Sequence, residues 1–236
     1  YGPHPAGNVG VQIGKISPIN AGERVWTVTP QDVATIGELF LTGKFNATRT
    51  VALVGSEVKD AQYYNVISGA AIADLVAGKI EGDNVRVISG DVLTGTKVKM
   101  NGNLGFLSNT VTVIPEGNVY RMFGWMPFAS PSVHSASRTG LSWLMPGKKY
   151  APNTNLNGEE RALVVTGEME TVMPLDIFPM QLLKACLASD IDKMESLGIY
   201  EVAPEDFALI DYTNTSKLEA QQIIREALDL MIKEVG

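Results

Sequence analysis

Two hydrophobic rhythms divide this chain, and no single regular architecture accommodates both. Between residues 48 and 115 the apolar residues come in short β-branched runs cut by glycine. Residues 50–54 close at Gly55, residues 84–88 set Val85 and Val87 against Arg86 and Ile88 before Ser89-Gly90, and residues 110–114 stop at Pro115-Glu116-Gly117. Side chains on a strand point alternately to its two faces, so such runs predict strands. Residues 70–77, ending at Gly78, read as one short helix. Together these predict a small α+β unit of roughly 70 residues.

From residue 174 onward the period is helical. Pro179 opens a helix carrying Met180, Leu183 and Leu187, with Leu182 and Cys186 beside them. Ser189 is the expected cap of the next helix, which Gly198 ends, and residues 204–211 make a short third. Ser216-x-x-Glu219 reads as a capping box before a face of Ala220, Ile223, Ile224, Ala227, Leu228, Met231 and Val235. Helices with short links predict a small bundle. The fold class is therefore α+β.

The N-terminal part has one well-marked helix. Thr29 is its N-cap, Pro30 its first residue, Asp32 lies three past the cap, and Gly43 ends it. Val33, Ile36, Phe40 and Leu41 share a face. Residues 9–16 alternate and read as a turn-bounded strand; Gly10-Val11-Gln12-Ile13-Gly14-Lys15 has too few residues between its glycines for a phosphate loop, and Ile16 stands where a hydroxyl would hold magnesium. The chain opens on Tyr1 within a Gly- and Pro-dense motif, Gly2-Pro3-His4-Pro5-Ala6-Gly7. That opening is read as the start of a piece of a longer protein, with a processed N-terminus as the alternative.

A net charge of −7 and a pI near 4.9 argue against nucleic acid and anionic lipid as partners. No apolar run approaches the ~20 residues of a transmembrane helix. The single cysteine, Cys186, allows no internal disulfide and reads as a buried small hydrophobe in a reducing compartment. His4 and His134 stand alone, and two histidines with one thiol do not make a zinc site. Glu205 and Asp206 open a helix, where acids favour the dipole. The most unusual composition lies in Tyr120-Arg121-Met122-Phe123-Gly124-Trp125-Met126-Pro127-Phe128 and Trp143-Leu144-Met145-Pro146-Gly147. Such a segment either covers a core or offers an adaptable apolar surface to a partner or flat ligand. No catalytic constellation is visible from spacing, and no metal ligand set.

Several stretches together resemble the NqrA family, one component of the sodium-translocating NADH:quinone oxidoreductases (Nqr). They are Gly2-Pro3-His4-Pro5-Ala6-Gly7, Gln31-Asp32-Val33, Gly37-x-Leu39-Phe40-Leu41-Thr42-Gly43, Arg86-Val87-Ile88-Ser89-Gly90-x-Val92-Leu93-x-Gly95-Thr96-Lys97, Phe123-Gly124-Trp125, Met173-Pro174-Leu175-Asp176, Glu205-Asp206-x-Ala208-Leu209 and Lys233-Glu234-x-Gly236. The family is similar to the flavin-bearing component of respiratory complex I and to the RnfC component of the Rnf complex. The resemblance implies that residues 1–47 end a Rossmann-like domain, 48–118 form a soluble-ligand-binding β-grasp (SLBB-like) domain, and 119–236 hold the aromatic segment and a helical bundle.

In those relatives the bundle ligates an iron–sulfur cluster through four cysteines. Cys186 alone cannot do so, and no redox centre is expected in this chain. Other Nqr components carry flavin on a threonine of a Ser-Gly-Ala-Thr-like motif; here Ser68-Gly69-Ala70 is followed by Ala71, which has no hydroxyl. The resemblance thus implies a peripheral part, cytoplasm-facing at the bacterial inner membrane, of an assembly that passes electrons from NADH to ubiquinone or menaquinone and exports Na⁺. The membrane component NqrB and the periplasm-anchored component NqrC are the expected partners, and NADH, flavins, iron–sulfur and quinone would act on or between other components. Quinone or partner contacts are expected at Phe123, Trp125, His134 and Trp143. The alternatives are a non-catalytic docking module of that complex and a free-standing β-grasp protein that binds a small molecule.

Overall fold

The computed structural model describes residues 4–120, 133–136, 138 and 140–235. They divide into two compact units. The sheet unit comprises Thr27–Tyr120 with Lys149–Leu156, and the helical unit draws on Tyr1–Trp26, Arg121–Lys148 and Asn157–Gly236.

The sheet unit is α+β. Helix α2 (Pro30–Thr42) is followed by β1 (Thr48–Val54), β2 (Gln62–Ile67), α3 (Ile72–Val76), β3 (Val85–Ser89), β4 (Thr96–Val98) and β5 (Thr110–Pro115). The five strands lie in the order β2-β1-β5-β3-β4. β1 pairs antiparallel with β2 and parallel with β5, which pairs antiparallel with β3. This mixed sheet with a short helix suits the expected SLBB-like unit. Alternation decides the burial: Val51 and Leu53 of β1 and Val111 and Val113 of β5 point inward onto Ile72, Leu75 and Val76. Gly55 sits at φ +125°, and a Cβ there would lie 1.9 Å from the Val113 carbonyl oxygen, so only glycine lets the chain leave β1 against β5.

α2 forms as expected from its ends. Thr29 Oγ1 accepts from Asp32 N–H (3.3 Å) and donates to the Asp32 carboxylate (2.6 Å), while Gly43 takes the left-handed conformation and donates to Leu39 O (2.8 Å). Its first turn is tied to β1. Arg49, 5% exposed, pairs with Asp32 (2.7 Å) and donates twice to Asn109 Oδ1. The Thr29 hydroxyl and then Arg49 hold the Asp32 carboxyl below its ordinary range. Yet α2 buries no residue at all, and Phe40 and Leu41 are 85% and 88% exposed. Between β3 and β5 lies a second ionic knot. Glu116 accepts from Arg86, Lys97 and Thr154, and these bonds, Arg86 first, bring its carboxyl down to about 2.

In the helical unit, α4 (Pro179–Leu187), α5 (Ile191–Ser196), α6 (Ala208–Thr213) and α7 (Ala220–Glu234) share a core of Leu182, Leu183, Met194, Phe207, Ile210 and Ile224. Three local expectations need correction. Residues 9–16 are not a strand: α1 (Val9–Ile16) is a helix. Gly10 and Gly14, four apart on one helix face, are both pressed from outside; a Cβ would lie 2.3 Å from Asp206 Oδ2 and 2.9 Å from Leu175 Cδ2. Ser189 does not cap α5. It adopts φ +53° and turns the chain, and the Asp190 carboxylate accepts from Lys193 N–H (3.2 Å). Ser216 and Glu219 do not form a capping box. Ser216 Oγ donates instead to Ala162 O, and the start of α7 is capped from outside by Asp211, whose carboxylate accepts from Ala220 N–H (2.5 Å) and Gln221 N–H (3.3 Å). Burial pushes the Asp211 carboxyl up, against the bonds that hold it ionised.

Candidate functional site

In the helical unit a pair of serines builds the ground beneath two of the expected contact residues. Ser142 is buried, and its Oγ accepts from Ser135 N–H (2.8 Å); Ser135 Oγ accepts from Gly140 N–H (2.9 Å). His134 immediately precedes this latch and Trp143 immediately follows it. Trp143 rides on a single 3₁₀ turn, Leu141–Leu144, and is 54% exposed, with Leu141, Leu144 and Met145 exposed beside it in sequence.

His134 meets Tyr212 of α6. The rings stack with centroids 5.9 Å apart and planes 17° from parallel, and the Tyr212 hydroxyl lies 3.2 Å from His134 Nδ1. The arrangement offers a flat ring surface with polar edges, which suits a planar ligand bearing carbonyl oxygens. Tyr212 is not among the contact residues that the sequence suggests. It lies 78 positions from His134, and no local pattern ties the two. Phe123 and Trp125 lie outside the described residues.

The sheet unit has its own concavity, about 170 Å³, between β2 and α3. Tyr64, Val66, Ala71, Asp74, Leu75 and Lys79 line it. The Lys79 ammonium sits 3.9 Å over the Tyr64 ring and donates to Leu75 O at the end of α3 (2.7 Å).

The remaining chemistry-bearing residues are structural. Cys186 is buried in α4, and desolvation pushes its thiol up to about 11, so it stays protonated at neutral pH. Being the sole cysteine of the sequence, it does not fit a cluster that needs four thiolates. Among the described residues no three His, Cys, Asp or Glu side chains gather as a metal site. Asp206, 2% exposed, accepts from Ala203 N–H (3.0 Å), and burial raises its carboxyl; Glu205 pairs with Arg225 of α7 at 3.2 Å. Asp206 holds the start of its helical turn, as expected from its position, whereas the Glu205 carboxylate is spent on α7. Among the described residues no helix is long and apolar enough to cross a membrane.

A model of the NQRA C-terminal domain, of SLBB type, matches residues 50–100, and one of the NqrA second alpha/beta domain matches residues 1–45. Among curated proteins, the NqrA component of the Na(+)-translocating NADH-quinone reductase of Neisseria meningitidis serogroup B is 39% identical over 234 residues, which is 99% of this chain and 52% of that protein. The corresponding protein of Serratia proteamaculans is 40% identical over 234 residues and that of Vibrio campbellii 37% over 236, with the same shares covered. The chain spans about half the length of the curated relatives it matches. With two domain models in sequence and this identity along nearly its whole length, the chain belongs to the NqrA family of the Na(+)-translocating NADH-quinone reductases.

Proposed function

We propose that this chain serves as part of a peripheral component of a sodium-translocating NADH:quinone reductase, at the cytoplasmic face of a bacterial inner membrane. The intact assembly passes electrons from NADH to ubiquinone or menaquinone and exports Na⁺. The observation that carries this reading is identity of 39% along 99% of the chain to a protein named for that activity. Residues 1–47 then end a Rossmann-like domain, 48–118 are the SLBB-like domain, and 119–236 the aromatic segment and a helical bundle. The sheet order and the shared core of α4 to α7 support the second and third of these parts, while within this chain residues 1–26 group with the helical unit and α2 with the sheet unit.

In this reading the chain holds no electron carrier. Flavins and iron–sulfur centres sit on or between other components, NqrB and NqrC among them, and this part docks against its neighbours. Its contribution to quinone lies at Phe123, Trp125, His134 and Trp143, joined now by Tyr212. His134 and Tyr212 supply polar groups at the edge of a stacked pair, and Trp143 an exposed ring.

Titrating the chain with a water-soluble quinone, read by tryptophan fluorescence and by amide shifts around residues 133–145 and 212, tests the quinone contact. A saturable change confined to those residues is expected; a flat titration in both signals removes it. A docking-only role is favoured by the exposed Leu141, Trp143 and Leu144 on one turn. It predicts that Trp143→Ala lowers incorporation into the complex while leaving quinone affinity unchanged.

A further inference from the structure

Residues 24–28, Arg24-Val25-Trp26-Thr27-Val28, have the composition of a strand and none of its bonds. All but Arg24 are β-branched or aromatic, and a near-continuous run of this kind is what a strand covered on both faces carries. In the structure the run is irregular and every residue of it is exposed, Trp26 by 94%. Among the described residues no backbone N–H or C=O within it is hydrogen-bonded. The division between the two units falls inside it, after Trp26.

The run leads through the Thr29 cap straight into α2, and α2 is held in this chain by its polar side. Gln31 donates to Asn109 Oδ1 (2.8 Å) and accepts from Thr50 N–H (2.8 Å), while Asn46 donates to the Glu38 carboxylate (3.0 Å). Val33, Gly37 and Leu41, spaced four apart, with Ile36 and Phe40 beside them, make the opposite side. Val33 and Ile36 are half exposed, and Phe40 and Leu41 almost wholly so. Gly37 stands in the middle of this face. Glycine inside a helix is less favourable than alanine, yet a Cβ on Gly37 would meet nothing within 4 Å. The glycines of α1 are explained within the chain, by Asp206 and Leu175; the glycine of α2 is not.

The alpha/beta domain matched by residues 1–45 has here two helices and, among the described residues 4–45, no strand. On the reading of residues 1–47 as the end of a Rossmann-like domain, we infer that residues 24–28 are a strand of that domain's sheet. Its other strands come from the part of the polypeptide outside this chain, and α2 lies on the sheet with Gly37 at the closest approach. Relatives of about twice this length carry the rest of their sequence on the same polypeptide, so the missing strands need no second copy and no other component. A strand running into a helix that packs back on the same sheet is the βα unit of such domains. One sheet then meets both needs: hydrogen-bond partners for the run, and a flat apolar cover for Val33, Ile36, Phe40 and Leu41. A flat neighbour comes nearest to a helix where the side chain is missing, which gives Gly37 its reason.

Amide exchange in a protein of the relatives' full length tests this. At least alternate amides of residues 25–28 are expected to exchange about 100-fold more slowly there than in this chain, as open amides do on acquiring a strand partner. Gly37→Ala supplies a second readout through its sign. In this chain it should slow exchange within α2 about fivefold, since alanine is the better helix former and has room. In the full-length protein it should instead quicken that exchange about tenfold, because the methyl group holds the helix off the sheet. Gly37→Ala slowing exchange in both proteins overturns the close approach. Open amides at 25–28 in the full-length protein, with Phe40→Ala speeding its unfolding, overturn the strand and leave the domain reading standing. Open amides with Phe40→Ala neutral overturn the domain reading as well. Protection that grows with the concentration of this chain assigns the run to a second copy, and protection that arises only on assembly assigns it to another component; either result overturns the proposal.

Discussion

Helices α2 and α7 are of similar length and both carry an apolar face, yet they solve opposite halves of the same problem. α2 has every local signal: a Thr29 cap, Pro30, Asp32 and a left-handed Gly43. It has no buried residue. α7 lacks a side-chain cap of its own and borrows Asp211 from α6, yet it buries Ala220, Ile224, Ala227 and Met231. Caps decide where a helix begins and ends; burial decides what it contributes to the fold. The amphipathic pattern alone does not say whether the apolar side has been covered.

The largest expected break in that contrast comes from truncating one apolar residue on each helix. Ile224→Ala should cost about 2–5 kcal/mol in denaturant unfolding, because the surrounding core cannot fully close the void. Phe40→Ala should stay within about 0.5 kcal/mol in this chain. Equal losses would mean that α2 is already packed. In the full-length protein Phe40→Ala should become costly, and its remaining neutral there would undo the proposed Rossmann-like boundary.

Next in size is Arg49→Met, which should destabilise the sheet unit by about 1–3 kcal/mol, because it removes the cation beside a half-buried Asp32 and both donors from Asn109 Oδ1. Faster amide exchange in β1 and in the first turn of α2, with α7 unaffected, is the expected readout.

Acid should then set Glu116 of the sheet unit against two buried acids of the helical unit. Glu116 titrates near 2 in the fold against an ordinary 4.5, so its stabilising pairs are fully present above pH 4.5 and are lost as the pH falls towards 2. Asp206 and Asp211 are raised by burial from an ordinary 3.8. Their ionisation opposes folding as the pH climbs past that value, and lowering the pH relieves it. Between about pH 5 and 3 the sheet unit should weaken through Glu116 while these two acids act in the opposite direction in the helical unit. Glu116→Gln should flatten the sheet unit's slope; an unchanged slope would rule out the Arg86–Glu116–Lys97 knot as its source. The smallest effect concerns Cys186, whose alkylation by iodoacetamide at neutral pH should follow opening of the α4–α7 core and not the concentration of thiolate. Prompt labelling in native buffer would contradict its burial.

How much of the fold is legible in the sequence depends on range. α2 can be read because its determinants lie within consecutive positions 29–43. β1, β3 and β5 announce themselves as β-branched runs stopped by glycine or proline, with alternation added in β3, whereas β2 does not, since its outward positions, Tyr63 and Ile67, are as apolar as its inward ones. α1 reads as a strand because its glycines imitate turns; what requires them is Asp206 and Leu175, far away in the chain. The capping of α7 escapes a local reading for the same reason, with Asp211 outcompeting the nearer Ser216. Of the contact residues, His134 and Trp143 are visible as composition. The stacked Tyr212 is not, because nothing in either neighbourhood encodes a pairing that the loop latch and α6 create together.

The tight seat of Gly10 against Asp206 links the inheritance of two distant codons. A methyl group at position 10 would occupy space now held by a carboxylate oxygen 2.3 Å away. Any lineage that acquires alanine at 10 should therefore also carry a shorter side chain at 206, and the two changes should rarely be found apart.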